Sequence, residues 1–164
     1  MSTLVNPPHS SGHRVALNRS ITERICLGVG YVFILLGLIG VLRPAMLGLH
    51  LSMAHNFINI ISGFLALLAG YTTPRKAFAF CLWFGGIFSF LGIAGFVIGA
   101  PGYPEVVGYM EADQNLFRII PDYLEFGTID HLFHLLVGTF LIYSAYTFRN
   151  ERRAYRKSLK KHNN

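Results

Sequence analysis

Four long and almost uncharged segments constrain this chain of 164 residues more than any other feature. A helix needs roughly 20 mostly apolar residues to cross the hydrocarbon layer of a bilayer, which is roughly 30 Å thick. The candidate spans cover residues 24–42, 53–72, 77–100 and 128–148. Hydrophobic residues make up 52% of the chain and charged residues 13%, which excludes an ordinary soluble domain. We therefore expect an all-α fold, an integral membrane four-helix bundle.

The fourth span is the least apolar. Its stretch without titratable groups, residues 135–148, covers only about 21 Å as a helix, so the span must also include Asp130, His131 and His134. Ser20 and Glu23 have the spacing of a capping box, which predicts the start of the first helix. The transmembrane domain thus covers residues 20–148. A disordered polar tail (1–19) precedes it, and a basic tail (149–164) follows it.

The distribution of basic residues predicts the orientation, because Lys and Arg near helix ends resist translocation. Twelve of the 14 basic residues fall on one side of the predicted bundle. They are Arg14, Arg19, Arg24, Arg75, Lys76, Arg149, Arg152, Arg153, Arg156, Lys157, Lys160 and Lys161. Both termini are therefore expected in the cytoplasm, and the acidic connection between the third and fourth spans outside. The net charge of +6 then reflects topology and not nucleic-acid binding, and anionic membrane lipids are the expected partner of the basic tail.

An internal repeat relates the two halves of the chain. Residues 26–40 and 81–95 share seven identities in fifteen positions at an offset of 55. The second and fourth spans align at an offset of 75, which places His55 on Asp130 and Asn59 on His134. We therefore expect two tandem helical hairpins with pseudo-two-fold symmetry along the membrane normal.

Small residues let transmembrane helices approach closely, so glycines on the repeated faces are candidate packing positions. These are Gly37, Gly40, Gly63, Gly92, Gly95 and Gly138. If the stripes Gly85-Gly86 and Gly95 to Gly99 instead pointed outward, they would indicate an accessory subunit that docks on a larger membrane complex.

A polar cluster is the candidate functional site. On a helix of 100° per residue, Asp130 and His134 lie about 40° apart and His131 lies on the same side. The repeat brings His55 and Asn59 of the second span to the same depth, so the two polar faces are expected to meet near the outer end of the bundle. Ionisable residues inside a membrane are costly and usually face its protein interior.

Three interpretations of this cluster stay open at this point. In the first, Asp130, His134, His55 and Asn59 hydrogen-bond one another and fix the register of the helices. In the second, His55, Asp130, His131 and His134 hold a metal ion, or two imidazoles hold a haem. A proton or solute pathway is the third, although four short unbroken spans leave little room for one.

The remaining candidate residues have simpler explanations. We expect His50, His9 and His13 to be solvated, and Cys26 and Cys81 to be small buried apolar residues. In the outer connection, residues 111–120 are expected to form a short surface helix that Pro121 ends. No Walker loop, dinucleotide fingerprint, nucleophile elbow or zincin helix occurs in the sequence.

The two motifs His55-Asn56-x-x-Asn59-x-x-x-Gly63 and Asp130-His131-x-x-His134-x-x-x-Gly138 resemble a family of four-span bacterial membrane proteins defined by a domain of unknown function. The resemblance covers residues 24–148 and implies the bacterial inner membrane, but no activity. That family often has His where this chain has Asn59.

Together these observations favour a small, non-enzymatic membrane protein that acts in binding or assembly. A membrane-protein partner or a second copy of the chain is expected beside it, and no cofactor. The alternatives are a metal- or haem-binding protein and an accessory subunit.

Overall fold

The computed structural model describes residues 19–105 and 111–162, and within them the protein is mostly helical. The elements in chain order are α1 (Ile21–Leu42), β1 (Ala45–Met46), β2 (Leu49–His50), α2 (Met53–Thr72), α3 (Pro74–Ile98), β3 (Ala100–Gly102), β4 (Asp113–Ile120), β5 (Leu124–Phe126) and α4 (Thr128–His162). The predicted N-terminal tail, with His9 and His13, lies outside the described residues except for Arg19.

Local sequence explains where the first three helices begin. The Ser20 hydroxyl accepts from the Glu23 amide and the Glu23 carboxylate accepts from the Ser20 amide, which confirms the predicted capping box. Ser52 caps α2 in the same way through the His55 amide. Thr73 caps α3, with Pro74 at the first helical position, where its missing N–H is no loss.

All four long helices are apolar enough to cross a membrane. In each, the most apolar stretch is less than half buried inside the protein. Large apolar side chains such as Leu35, Phe64, Phe90 and Leu136 are consequently exposed around the bundle.

Glycines set the closest helix contacts. A Cβ atom on Gly30 of α1 would lie 2.9 Å from the Gly63 carbonyl oxygen of α2. A Cβ atom on Gly138 of α4 would lie 2.9 Å from the Gly85 carbonyl oxygen of α3. The backbones of α1 and α2, and of α3 and α4, thus approach as closely as they do because these positions have no side chain.

Four other predicted packing glycines each face a polar residue of the neighbouring helix. Gly40 and Gly95 face the side chains of Asn56 and His131, and Gly37 and Gly92 face the backbone carbonyl oxygens of the same two residues. The missing side chains leave room for the polar groups between the helices.

The centre of the bundle is apolar and lies between α1 and α3. Phe33 stacks on Phe88 with ring centroids 5.3 Å apart. Cys26 and Cys81 are fully buried free thiols whose sulfur atoms lie 3.4 Å apart. Small residues of α2 and α4, such as Ala66 and Ala145, complete this core.

Five short strands cover one end of the bundle, and we call β1–β5 with their turns the strand cap. β1 and β2 form an antiparallel hairpin whose turn residues Leu47 and Gly48 both have positive φ, as a tight hairpin turn requires. β3, β4 and β5 form an antiparallel sheet in that order. The opposite end, where the chain termini emerge, we call the terminal end.

The strand cap contradicts the prediction of a short surface helix over residues 111–120. That segment forms strand β4, which pairs Phe117 with Phe126 and Arg118 with Glu125. The apolar residues of this segment fit one face of a helix as well as they fit a strand. Pro121 and Asp122 turn the chain back, however, so that β5 pairs with the segment. Asp122 has a positive φ of 68°, which suits a tight turn.

Helix α4 continues past Phe148, the last residue before the predicted basic tail. It continues to His162 and has 35 residues. The segment 128–150 is the part apolar enough to cross a membrane, so the last part of α4 extends beyond it at the terminal end.

We expect Gly30→Ala to destabilise the bundle by about 1–3 kcal/mol, because its Cβ would collide with the backbone of α2. The midpoint of thermal unfolding in detergent should fall accordingly. Gly28→Ala is the matched control, since Gly28 lies on the same helix and a Cβ atom there would have no neighbour within 4 Å. Equal midpoints for the two variants would contradict close packing at Gly30.

Candidate functional site

Asp130 lies at the centre of the polar cluster. It stands in the first turn of α4 and is fully buried. Its carboxylate accepts hydrogen bonds from the Gly127 amide at 2.8 Å, the His50 imidazole Nδ1 at 2.8 Å and the His50 amide at 3.1 Å. These three N–H donors, with the positive end of the helix dipole, stabilise the buried carboxylate.

His50 was expected to be solvated, and this prediction is wrong. Its exposed fraction is 0%, because the hairpin of β1 and β2 folds back over the start of α4. Through Asp130, His50 links the α1–α2 connection to α4, which lie 80 residues apart in the chain.

The first turn of α2 also binds the hairpin. The His55 Nδ1–H donates to the His50 carbonyl oxygen at 2.9 Å. The Asn56 side-chain amide donates to the Leu51 carbonyl oxygen at 3.0 Å. Both side chains are buried and satisfy backbone groups of a connection that would otherwise lack partners.

His131 performs the same task for the β3–β4–β5 sheet. Its Nε2–H donates to the Asn115 carbonyl oxygen of β4 at 2.7 Å, and its ring lies against Phe96. Asp113 of β4 accepts from the Thr128 amide at 2.9 Å and from the Thr128 hydroxyl at 2.7 Å. The start of α4 is thereby tied to the strand beside it.

Glu125, which lies in the acidic connection between the third and fourth spans, is a second buried carboxylate. Its exposed fraction is 1%. It pairs with Arg118 across the β4–β5 ladder at 2.8 Å and accepts from the Glu105 amide at 3.0 Å. An opposite charge at the directly paired position explains its burial.

His134 and Asn59 stand one turn further into their helices, and His134 lies among aromatic rings. The His134 ring meets Phe88 and Phe126 edge to face, with centroids 5.0 and 4.9 Å apart. Its centroid lies 6.1 Å from that of His55. Within the described part of the chain, His134 Nδ1 and Asn59 Nδ2 are buried without a hydrogen-bond partner.

The predicted bonds between members of the cluster are therefore replaced by bonds to the strand cap. Asp130 binds His50 and Gly127, and His55 binds the His50 carbonyl group. In the described part of the chain, these helix residues bind the strand cap and not one another.

A metal site built from His55, Asp130, His131 and His134 has no geometric support in residues 19–105 and 111–162. There, no three His, Cys, Asp or Glu side chains are arranged to hold a metal ion. Asp130 and His131 direct their polar atoms to different parts of the cap. The metal and haem interpretations remain predictions from sequence.

Comparison with models of protein families, with curated proteins and with solved structures finds no match to this chain. The resemblance to the four-span bacterial family stays a prediction, and the site must be interpreted from its own geometry.

We expect Asp130→Asn to loosen the strand cap, because the three N–H donors lose the negative charge they surround and one of the two acceptor oxygens becomes an N–H donor that faces the His50 amide. A buried donor left without an acceptor costs about 1–3 kcal/mol. Amide hydrogen exchange in residues 45–50 and 124–127 should become roughly ten to a hundred times faster. Asp122→Asn is the control, because Asp122 is exposed and its φ suits Asn. Unchanged exchange in Asp130→Asn would refute the role of this carboxylate.

Protonation of the Asp113 carboxylate is expected to lower the stability of the fold at acid pH. Partial burial by itself raises the pKa of Asp113, but hydrogen bonds from Thr128 and Asn115 and the field of His50 outweigh it and hold the pKa below its usual value. A carboxyl group with a depressed native pKa stabilises the fold above its unfolded pKa, and this stabilisation is lost as the pH falls through the native pKa.

Asp113→Asn should therefore show a smaller fall in the thermal unfolding midpoint than the unmodified protein as the pH is lowered from neutral to about 3. Midpoints measured in detergent across this interval test the prediction. Parallel curves for the two proteins would exclude Asp113 as a source of the acid sensitivity.

Proposed function

We propose that this chain is a multi-pass protein of the bacterial inner membrane, with both termini in the cytoplasm, that binds a protein partner at its strand cap and catalyses no reaction. The observation that carries the proposal is the use of the polar cluster: its buried carboxylate and imidazoles hold a β-structured cap in one position. The atoms that bond the backbone of the connections position a surface, and among the described residues the two with an unpartnered polar atom deeper in the cluster, His134 and Asn59, are each only 3% exposed.

Exposed apolar surface and charge support the membrane embedding. Four helices expose large apolar side chains along their lengths, as contact with lipid requires. Arg24, Arg75, Lys76 and Arg149 lie at the terminal end, whereas the cap is acidic. The positive-inside rule then places the terminal end in the cytoplasm.

Helix contacts support the two tandem hairpins. The contact between Gly30 and Gly63 has its counterpart between Gly85 and Gly138, at the offsets of 55 and 75 given by the sequence repeat. The same pair of positions thus makes a close backbone approach in each half.

Contacts between the halves support a pseudo-two-fold axis. Residues related by a two-fold rotation meet each other where they lie on the axis. Cys26 meets Cys81 and Phe33 stacks on Phe88, and each pair is related by the offset of 55.

The surface that the cap presents suits a protein partner. Tyr103, Ile119, Ile120 and Tyr123 are exposed on β4, on the β4–β5 turn and next to β3, and we call them the cap patch. Exposed carboxylates of the same connection, Glu105, Glu111 and Asp122, lie near these residues in the sequence. Aromatic and aliphatic residues inside a polar rim are typical of protein interfaces, so the expected partner has an apolar centre and a basic rim.

Glycine stripes give less support to a docking surface within the membrane. Gly85, Gly95 and Gly99 each face another part of the chain, whereas Gly86 has no atom within 4 Å of a Cβ position. Of these glycines, only Gly86 points away from the rest of the described chain. A single position gives little support to the accessory-subunit alternative, which needs an outward stripe. The cap patch is the better candidate for the partner surface.

Photo-cross-linking in intact cells tests this proposal. Tyr123→benzoylphenylalanine should give one discrete protein adduct, and Trp83→benzoylphenylalanine should not, although the two side chains are 70% and 72% exposed. Adding Ile120→Lys should weaken the adduct by about tenfold, as loss of a central interface contact does. Gln114→Lys, also exposed on β4, is the charge-matched control.

Two outcomes would overturn the proposal. One is the absence of a protein adduct specific to the cap position. The other is stoichiometric metal or a Soret band in the detergent-purified protein that disappears in His134→Ala, which would establish the metal- or haem-binding alternative.

A further inference from the structure

A basic cleft lies at the terminal end of the bundle, where α3 begins and α4 leaves the span. It has a volume of about 480 Å³. Four arginines and two phenylalanines line it: Arg75, Phe78, Phe148, Arg149, Arg152 and Arg153. We call it the arginine cleft. An adjoining hollow of about 430 Å³ shares Arg75, Phe148 and Arg152.

Among the side chains that the structure describes, which leave out residue 151 and residues 154–162, only the arginines bring charge to the arginine cleft. No carboxylate lines either the cleft or the adjoining hollow there. The first turn of α3 contains Arg75 and Lys76 and no acidic residue. Because the N-terminus of a helix carries partial positive charge, basic side chains at that position repel it. A bound anion would reduce the repulsion among the arginines and the repulsion between these side chains and the start of α3.

The floor of the arginine cleft is apolar. Phe78 of α3 packs against Phe148 of α4 with ring centroids 5.6 Å apart. The guanidinium group of Arg152 lies over the Phe148 ring, 5.8 Å from its centroid. An occupant should therefore have an anionic group for the arginines and an apolar part that lies along the aromatic and lipid-facing surface.

We propose that the arginine cleft binds the phosphate group of an anionic phospholipid from the cytoplasmic leaflet. Guanidinium groups bind phosphate oxygens through paired hydrogen bonds, and basic pockets at the cytoplasmic ends of transmembrane helices bind lipid headgroups. The inference rests on the proposed membrane embedding and orientation, but it does not depend on a partner at the strand cap. It assigns a defined site to a lipid.

The test uses the full-length protein purified in a mild detergent, with native mass spectrometry to count bound lipids. Phosphatidylglycerol and phosphatidylcholine are added in separate titrations. We expect phosphatidylglycerol to bind in preference, and Arg149→Gln/Arg152→Gln to reduce its binding by roughly tenfold or more, since two cationic contacts are lost. Inorganic phosphate at equal concentration should not displace it.

Arg19→Gln/Arg24→Gln is the matched control. It removes the same charge from the same end of the bundle, and neither residue lines the arginine cleft. If both double variants lose phosphatidylglycerol equally, general charge attraction explains the binding and the proposed site is overturned. Equal binding of phosphatidylcholine, or displacement by inorganic phosphate, would overturn it as well.

Folding and embedding are checked separately. Thermal unfolding in detergent shows whether the cleft variant is folded, and if it is not, Arg153→Gln alone replaces it in the titration. Washing membranes with alkaline carbonate would extract the protein if the proposed embedding were wrong. A protein that stays in the membrane but shows no preference for phosphatidylglycerol would overturn the arginine cleft and leave the embedding intact.

Discussion

The buried carboxylate of Asp130 makes the interaction on which the strand-cap end of the protein depends. It accepts from the main chain and imidazole of His50 and from the main chain of Gly127, so one side chain joins the β1–β2 hairpin to the start of α4. A buried carboxylate is costly unless several donors surround it. Here the donors come from both halves of the chain, and the carboxylate can be satisfied only when the two halves are assembled.

Apolar length and glycine spacing were sufficient to predict the four helices, because both are local properties of the sequence. The same reasoning located the polar cluster but not its partners. His50 follows a hairpin turn of Leu47 and Gly48 that carries a weak sequence signal, and its burial results from contact with a residue 80 positions away. Strand β4 was mistaken for a helix because its apolar residues suit both structures, and pairing with β3 and β5 decides between them.

The arrangement of the cluster separates two kinds of polar residue. Asp130, His55 and His131 stand in or near the first turns of their helices and complete the hydrogen bonds of the connections above them. His134 stands one turn further into α4, where its ring contacts Phe88 and the cap residue Phe126, and Phe126 also contacts the His55 ring. Backbone groups in the connections of a membrane protein need such partners, because lipid offers them none.

Helix α4 passes from the strand cap to the arginine cleft without a break. Asp130 and His131 lie in its first turn, and Phe148 and Arg152 lie about 30 Å further along at helical rise. A helix of this length behaves as a stiff rod, so rotation about its axis displaces the anchors of the cap and the wall of the cleft together. One continuous helix therefore carries both the anchors of the strand cap and part of the lining of the arginine cleft, so neither end can be repositioned on α4 independently of the other.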